Sequence, residues 1–134
     1  MTISIDLSTL LSFKPCDADT RTALFTDRKT ITVAQAIDAR VSVANILWVV
    51  AHMGHTTECV KFALACSRRV EHLNTDPRVK AANDVCEAWL NNPTDTARAA
   101  YAAADAARAA YAAYAAARAA EKLEQIKILL ELFK

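Results

Sequence analysis

Residues 42–53, Ser-Val-Ala-Asn-Ile-Leu-Trp-Val-Val-Ala-His-Met, carry the apolar pattern that decides the fold. Their large apolar side chains recur at the three- and four-residue spacing of an α-helix. Those residues are Val43, Ile46, Leu47, Val50 and Met53. Ser42 is a preferred N-cap residue, and Gly54 stands where a helix often ends in a left-handed conformation. The stretch therefore predicts a central helix with one buried face.

Two more helices are predicted between Gly54 and Asn91. One starts at Thr56 or Thr57 and runs to about Leu73. The next begins at Asp76-Pro77, because an N-cap residue there precedes a proline whose missing N–H costs nothing at the first helical position. The inward residues are Cys59, Val60, Phe62, Ala63, Cys66, Val70 and Leu73 on the first helix, and Val79, Ala82, Val85, Cys86, Trp89 and Leu90 on the second. We expect residues 42–91 to form the core.

Residues 1–41 predict three short helices. Asp6 can cap a helix through Leu11, and Asp17 can start a second one. The residues Thr32-Val33-Ala34-Gln35 form a capping box, which opens a third helix to about Ala39. The predicted inward residues of the first two helices are Leu7, Leu10, Leu11, Ala23, Leu24 and Phe25. This part of the chain is therefore expected to fold as short capped pieces.

Residues 97–120 are unusual because seventeen of the twenty-four are alanine. Alanine has the highest helix propensity, so a stable helix is predicted here. A face that carries only methyl groups lets another helix approach closely. The larger residues recur every three or four positions, which keeps them on one side of the helix. They are Arg98, Tyr101, Asp105, Arg108, Tyr111, Tyr114 and Arg118.

Residues 121–134 predict an ordinary amphipathic helix with an apolar stripe. A single helix over residues 93–134 would span about 63 Å at 1.5 Å per residue, whereas a globule of this length has a radius of gyration of roughly 14 Å. The helix therefore breaks near residues 118–123, or another chain covers its apolar end. The stripe would otherwise be an exposed patch, so we favour self-association as a homodimer. The stripe consists of Leu123, Ile126, Leu130 and Phe133.

The composition of the chain argues against several classes of function. Sixteen basic residues face fifteen acidic ones, which does not favour a nucleic-acid binder driven by bulk charge. A single glycine, Gly54, cannot form the glycine-rich loops that hold nucleotide phosphates. The longest apolar stretch, Val43 to Met53, is far shorter than the roughly 20 residues of a membrane span. The chain shows no secretion signal, so we expect a cytoplasmic protein without membrane contact.

The sequence contains only weak indications of a metal site, a disulfide or a catalytic site. His52, His55 and Cys59 have the spacing of metal ligands on one helix, but Gly54 interrupts that helix. Cys59 and Cys66 lie about 10 Å apart on a continuous helix, beyond disulfide reach, so the cysteines are expected to be reduced and mostly buried. No nucleophile elbow or zinc-binding histidine motif is present. The sequence therefore predicts no metal, no cofactor, no catalytic residue and no enzymatic activity.

The alternating tyrosines and arginines of residues 98–118 are the candidate partner-binding residues. They could stack on bases and contact phosphates, or they could form pairs that solubilise an alanine helix. Tyrosine and arginine also dominate the contact energy of protein interfaces, and this is the functional interpretation that we prefer. The predicted partner-binding residues are Arg98, Tyr101, Arg108, Tyr111, Tyr114 and Arg118.

Several pieces of the sequence resemble a loose family of bacterial and phage proteins, some of them labelled as immunity proteins. They are Asp76-Pro77-Arg78 with Ala81-Ala82, then Glu87-Ala88-Trp89-Leu90, then the alanine run with its Arg-Ala-Ala, Tyr-Ala-Ala and Asp-Ala-Ala triplets. Phe13-Lys14-Pro15-Cys16 and the helix of Trp48 are similar as well. The resemblance implies an all-helical cytoplasmic protein that neutralises a toxin or a host defence or replication component by binding it.

Together these patterns predict one all-α domain over residues 1–134, a bundle of six or seven helices with a long alanine-rich C-terminal helix. We expect a non-enzymatic inhibitor or immunity-type protein, which could be phage-encoded. One alternative is a phage assembly protein that oligomerises through its C-terminal helix. A second is a small helical enzyme or a nucleic-acid binder.

Overall fold

The structure is a computed structural model, and it describes residues 2–73, 77–93 and 118–134, without the side chains of Leu73 and residues 118–121. Within these ranges the chain is mostly helical, as predicted. In order, the elements are β1 (Ser4–Asp6), α1 (Leu7–Ser12), α2 (Ala18–Ala23), β2 (Thr30–Thr32), α3 (Val33–Asp38), α4 (Val43–His52), α5 (Thr56–Val70), a 3-10 turn (Glu71–Leu73), α6 (Pro77–Asn91) and α7 (Arg118–Leu132).

A small antiparallel sheet corrects the purely helical prediction. Strands β1 and β2 pair with Ile5 opposite Ile31, and both isoleucines are buried. Their neighbours Ser4 and Thr30 are exposed, which is the alternation of a half-buried strand. Each strand has only three residues, too few for this alternation to be distinguished from a loop in the sequence. The sheet ties the start of the chain to the segment before α3.

The predicted caps are confirmed at three helices. The Asp6 carboxylate accepts a hydrogen bond from the Thr9 N–H at 2.7 Å, and the Ser42 hydroxyl accepts one from the Asn45 N–H at 3.2 Å. Thr32 begins α3 with a complete capping box, in which its own N–H and hydroxyl both bond to the third residue of the helix. Gly54 follows α4 with a φ of 88°, the predicted left-handed conformation. These local signals fix where the helices begin and end.

Asp17 begins α2 as predicted, although its carboxylate pairs with the Arg21 guanidinium and makes no capping bond. Two predicted inward residues are wrong. Leu11 is exposed rather than inward, as is Ala23. Helices of six residues turn only one narrow face inward, so the adjacent Leu10 takes the buried position alone.

Contacts divide the chain into two compact units. The first unit contains residues 1–54 with 129–134, and the second contains residues 55–128. The core of the first unit is built on Ile5, Leu10, Phe25 and Ile31, with Trp48 among the side chains against it.

The core of the second unit lies between α5 and α6. Its buried residues are Val60, Cys86 and Trp89. The predicted helix boundaries at Thr56 and Asn91 are confirmed there. Two polar residues that the apolar pattern did not predict, Ser67 and Asn83, are fully buried.

Candidate functional site

The predicted partner-binding residues lie almost entirely outside the described part of the chain. Arg98, Tyr101, Arg108, Tyr111 and Tyr114 fall between residues 93 and 118. Arg118 is the first residue of α7, where only its backbone is described. The role of these six residues therefore stays a prediction. The same holds for whether residues 93–134 form one helix or two.

The predicted apolar stripe of α7 is divided by the structure. Leu129 is fully buried and Phe133 is 3% exposed, whereas Leu123 is 62% exposed and Leu130 is 38% exposed. Leu129 and Phe133, which are four residues apart, are therefore the inward residues of this segment. Leu129 and Leu130 are adjacent and both fit helical spacing, so the sequence could not decide between them. Phe133 is buried within its own chain, which leaves Leu123 and Leu130 as the exposed apolar residues of this helix.

A cluster of charged side chains joins α5 to α6 through Arg68. Its guanidinium donates to Glu71 at 2.7 Å, to Asp84 at 3.0 Å and to Glu87 at 2.9 Å. The bonds to Asp84 and Glu87 cross from α5 to α6, the bond to Glu71 joins the turn that follows α5, and together they hold the guanidinium in one orientation. The cluster is therefore a structural tie within the second unit.

The same cluster shifts the pKa values of its members. The Asn83 amide and the Arg68 guanidinium, which both donate to the Glu71 carboxylate, lower the pKa of Glu71 below its ordinary value. Hydrogen bonds from Lys80 and then from Arg68 lower the pKa of Asp84. The carboxylates in turn raise the pKa of Arg68. The groups are held in their charged forms, which suits an ion-pair network better than proton transfer.

Among the described residues of the second unit, three buried polar atoms have no hydrogen-bond partner. They are the Ser67 hydroxyl, the Asn83 carbonyl oxygen and the Trp89 indole N–H. A buried polar atom without a partner loses the hydrogen bonds it would make to water, which lowers the stability of the fold.

Gly54 separates His52 from His55 and Cys59, as predicted from the sequence. His52 lies in the last turn of α4, where its ring stacks on Trp48 with 3.9 Å between centroids and its Nδ1 lies 2.7 Å from the Trp48 carbonyl oxygen. His55 precedes α5, on the other side of Gly54, and lies 3.9 Å from Glu58. In the described ranges no three His, Cys, Asp or Glu residues are grouped to hold a metal ion.

The four cysteines, all within the described ranges, form no disulfide. Cys66 and Cys86 are buried and Cys59 is partly buried, as expected, but Cys16 is exposed. Burial raises the pKa of the Cys86 thiol, and burial together with the nearby Glu58 carboxylate raises the pKa of Cys59. The thiols of Cys59 and Cys86 are therefore poor nucleophiles near neutral pH.

The first unit contains a partly open apolar cavity of about 380 Å³ that the sequence does not predict. Strands β1 and β2 and helices α1 to α4 all contribute side chains to its lining. Arg21, Arg40 and Asn45 are among the polar residues in that lining. A cavity assembled from six short elements leaves no local pattern in the sequence, because each element supplies only a few residues. Its size falls within the usual range of small-molecule pockets.

Comparison with known proteins finds no matching family, no similar curated protein and no similar solved structure. The resemblance to immunity-type proteins therefore stays an expectation. Of the helices in the described ranges, none has the length and apolarity needed to span a membrane.

Proposed function

We propose that this protein is a non-enzymatic binding protein that occupies and blocks another protein. The surface proposed for binding is the terminal face, which we define as the tyrosines and arginines of residues 98–118 together with Leu123 and Leu130. The proposal includes a long helix through this region, packed along a bundle formed by the remaining helices. An inhibitor or immunity-type role, possible for a phage-encoded protein, fits this mode of action.

The exposure of Leu123 is the observation that carries the proposal. Among the described residues, three large apolar side chains are exposed, and two of them, Leu123 and Leu130, belong to α7. They are seven residues apart, two helical turns, so they lie on the same side of the helix. Burying one leucine in an interface contributes about 1.5–3 kcal/mol.

Charged residues surround the two leucines and suit the rim of an interface. Lys127 donates to Glu124 at 2.8 Å, and Lys134 pairs with Glu131 on the last turn. Glu124 also lies 3.8 Å from Arg69 of α5. A few apolar side chains within a polar rim are the usual arrangement of protein interfaces. Tyrosine and arginine, which precede them in the sequence, are the residue types most often found at the energetic centre of such interfaces.

A second copy of the chain is the alternative occupant of this surface. Leu123 and Leu130 on one helix could meet the same residues on another, as in an assembly protein that oligomerises through its C-terminal helix. The exposed leucines favour this alternative over the helical enzyme or nucleic-acid binder. Mass in solution separates the two cases, because a binding protein is expected as a monomer or dimer and an assembly protein as a larger oligomer.

The test compares Leu123→Glu with Leu11→Glu. Leu11 is 40% exposed on α1 and serves as the matched control. Tagged wild-type protein is used to capture partners from a native-host lysate, and the bound proteins are identified by mass spectrometry. We expect a specific partner that is lost with Leu123→Glu and retained with Leu11→Glu. Equal capture by both variants, or sedimentation as a large oligomer that Leu123→Glu dissociates, would contradict the proposal.

A further inference from the structure

The lining of the cavity in the first unit is mostly apolar, and its polar residues are Ser4 and Thr32 on the paired strands together with Thr20, Arg21, Arg40, Ser42 and Asn45. Aliphatic side chains supply most of its walls, and Phe25 is the aromatic residue among those described. The apolar lining residues include Ile5, Leu24, Ile31, Ile46, Val49 and Met53. A cavity of this composition favours a hydrocarbon over a polar ligand, since polar groups of the ligand would lose their hydrogen bonds to water on entering it.

Three of the polar lining residues are connected by hydrogen bonds. The Arg21 guanidinium donates to the Asn45 side-chain oxygen at 3.3 Å, and the Asn45 N–H donates to the Ser42 hydroxyl. Arg40 stands two residues before Ser42 and also lines the cavity. Arg21, Ser42 and Asn45 therefore form one polar region of the wall, and Ser4 and Thr32, paired across the two strands, form a second, uncharged one. A ligand with one charged end would match the region that contains the arginine.

The charge of this region is positive. Arg21 and Arg40 are the charged residues in the lining, and no carboxylate is among the described residues that form it. Asp17 pairs with Arg21 and offsets its charge. Arg40 is exposed and forms no ion pair or side-chain hydrogen bond with the described residues. One uncompensated guanidinium fits a monoanion, and it can bind a carboxylate through two parallel hydrogen bonds.

The backbone at Arg40 is an independent indication. Arg40 ends α3 with a φ of 61°, and the Val41 N–H bonds to the Ala36 carbonyl at 3.0 Å while the Arg40 N–H bonds to Ile37 at 2.9 Å. This pair of bonds is a Schellman motif, whose left-handed position is usually glycine. An arginine there holds a conformation that costs stability. Residues in such conformations occur preferentially at ligand sites.

We propose that this cavity binds a linear aliphatic monocarboxylate, with its hydrocarbon chain among the aliphatic side chains and its carboxylate at Arg40 and Asn45. The site is separate from the terminal face, so the inference goes beyond protein binding and can succeed or fail independently of it. An occupant would fill space that otherwise forfeits contacts between the core residues. It would therefore raise the unfolding temperature of the protein.

The first test varies the ligand on the wild-type chain. Decanoate, 1-decanol and decyltrimethylammonium share a chain length and differ in the charge of the head group. We expect decanoate to bind most tightly by calorimetry and to raise the unfolding temperature most. From octanoate to decanoate, each added methylene is expected to tighten Kd about three- to four-fold. Equal affinity for the three head groups, or no binding of any of them, would overturn the proposal.

The second test uses Arg40→Gly with Lys14→Gly as its matched control. Lys14 is also exposed, basic and left-handed, with a φ of 55°, but it does not line the cavity. Both substitutions relieve the backbone and remove one positive charge, so both variants are expected to unfold at a higher temperature than the wild type. Arg40→Gly should weaken decanoate binding at least five-fold and leave 1-decanol binding unchanged. An equal loss in Lys14→Gly would show a general charge effect and overturn the assignment.

A third variant tests whether the ligand lies inside the cavity. Ala36 lines it, and Ala36→Leu would place a larger apolar side chain in the space proposed for the hydrocarbon. We expect all three decyl compounds to lose affinity, with the helical content unchanged by circular dichroism. A folded Ala36→Leu variant that binds decanoate as tightly as the wild type would place the ligand elsewhere and overturn the proposal. If this variant does not fold, the Arg40→Gly comparison decides alone.

Discussion

The two units use polar side chains in different ways. In the first unit, helices of six to ten residues begin at caps such as Asp6 and Ser42. In the second unit, α5 and α6 have fifteen residues each, and Arg68 bonds from one to the other. Helices as short as those of the first unit are not stable alone, so their terminal N–H groups need local partners. In the first unit polar residues therefore mainly close individual helices, with the bond from Arg21 of α2 to Asn45 of α4 in addition, whereas in the second unit Arg68 connects neighbouring helices.

The largest predicted effect on stability concerns the end of α7, where residues 129–134 belong to the first unit. Leu129→Ala is expected to lower the free energy of unfolding by about 2–5 kcal/mol, because it leaves a cavity at a fully buried position. Leu123→Ala, on the same helix but 62% exposed, should change it by less than about 0.5 kcal/mol. Urea unfolding of both variants measures the difference. Equal effects would show that the inward face of α7 is assigned incorrectly.

Two serine-to-alanine substitutions sharpen the comparison between the units. Ser42→Ala removes a capping hydroxyl in the first unit and is expected to cost about 1 kcal/mol. Ser67→Ala removes a buried hydroxyl that has no partner within the structure, so it should be neutral or stabilise the protein by up to about 1 kcal/mol. Chemical unfolding of the two variants gives both values.

The sign of the second value is the informative result. A clear loss of stability in Ser67→Ala would mean that the hydroxyl has a partner in solution. The contrast between capping and buried hydroxyls would then fail at this position. A neutral Ser42→Ala would remove the other half of the contrast, since the cap would contribute nothing to α4.

Local signals explain which parts of the fold could be predicted. The cap at Ser42, the glycine at position 54 and the proline at position 77 each act within one helical turn, so their positions are readable in the sequence. The choice between Leu129 and Leu130 depends on which neighbour is available in space. The same holds for the burial of Asn83, whose amide bonds to Glu71 twelve residues away. These are tertiary effects, and a single sequence carries no pattern for them.

The two candidate sites also differ in how far they could be predicted from the sequence. The tyrosines and arginines of the terminal face were predicted from their types and spacing, its leucines were predicted as part of an apolar stripe, and the structure adds the exposure of Leu123. The apolar cavity could not be predicted, because Ile5, Ile31 and Ile46 look like ordinary core residues in the sequence. Arg40 carried no signal either, since an arginine is not expected at a left-handed helix end.

Acid should weaken the second unit through Glu71. Its pKa is lowered in the folded state, so its contribution to stability is present above the ordinary value of 4.5 and is lost as pH falls through the folded pKa. We expect the unfolding temperature of the wild type to drop below about pH 4.5. Glu71→Gln, which does not titrate, should show a shallower drop.

Asp6 of the first unit provides the comparison for this acid effect. The Thr9 N–H lowers its pKa from an ordinary value of 3.8, so Asp6→Asn should flatten the profile at lower pH than Glu71→Gln does. Thermal unfolding across the acid range measures both variants. Identical pH profiles for the wild type and Glu71→Gln would contradict the assigned role of the Arg68 cluster.

The smallest predicted effect is a difference in thiol reactivity and not in stability. Iodoacetamide should label Cys16 first, since it is exposed in the first unit. Cys86 of the second unit should be labelled only on unfolding, because it is fully buried and burial raises its pKa. Timed labelling followed by peptide mass spectrometry gives the order. Early labelling of Cys86 in the folded protein would show that the α5–α6 contact opens.

The proposed binding role is tested most directly by replacing Tyr111 and Tyr114 with alanine together. Partner capture and the free energy of unfolding are measured on the same preparation of this double variant. We expect weaker capture with helicity and unfolding nearly unchanged, because the two rings are assigned to binding and not to the core. Loss of folding, with the partner still bound by the fraction that remains folded, would place the tyrosines in the core and contradict the account.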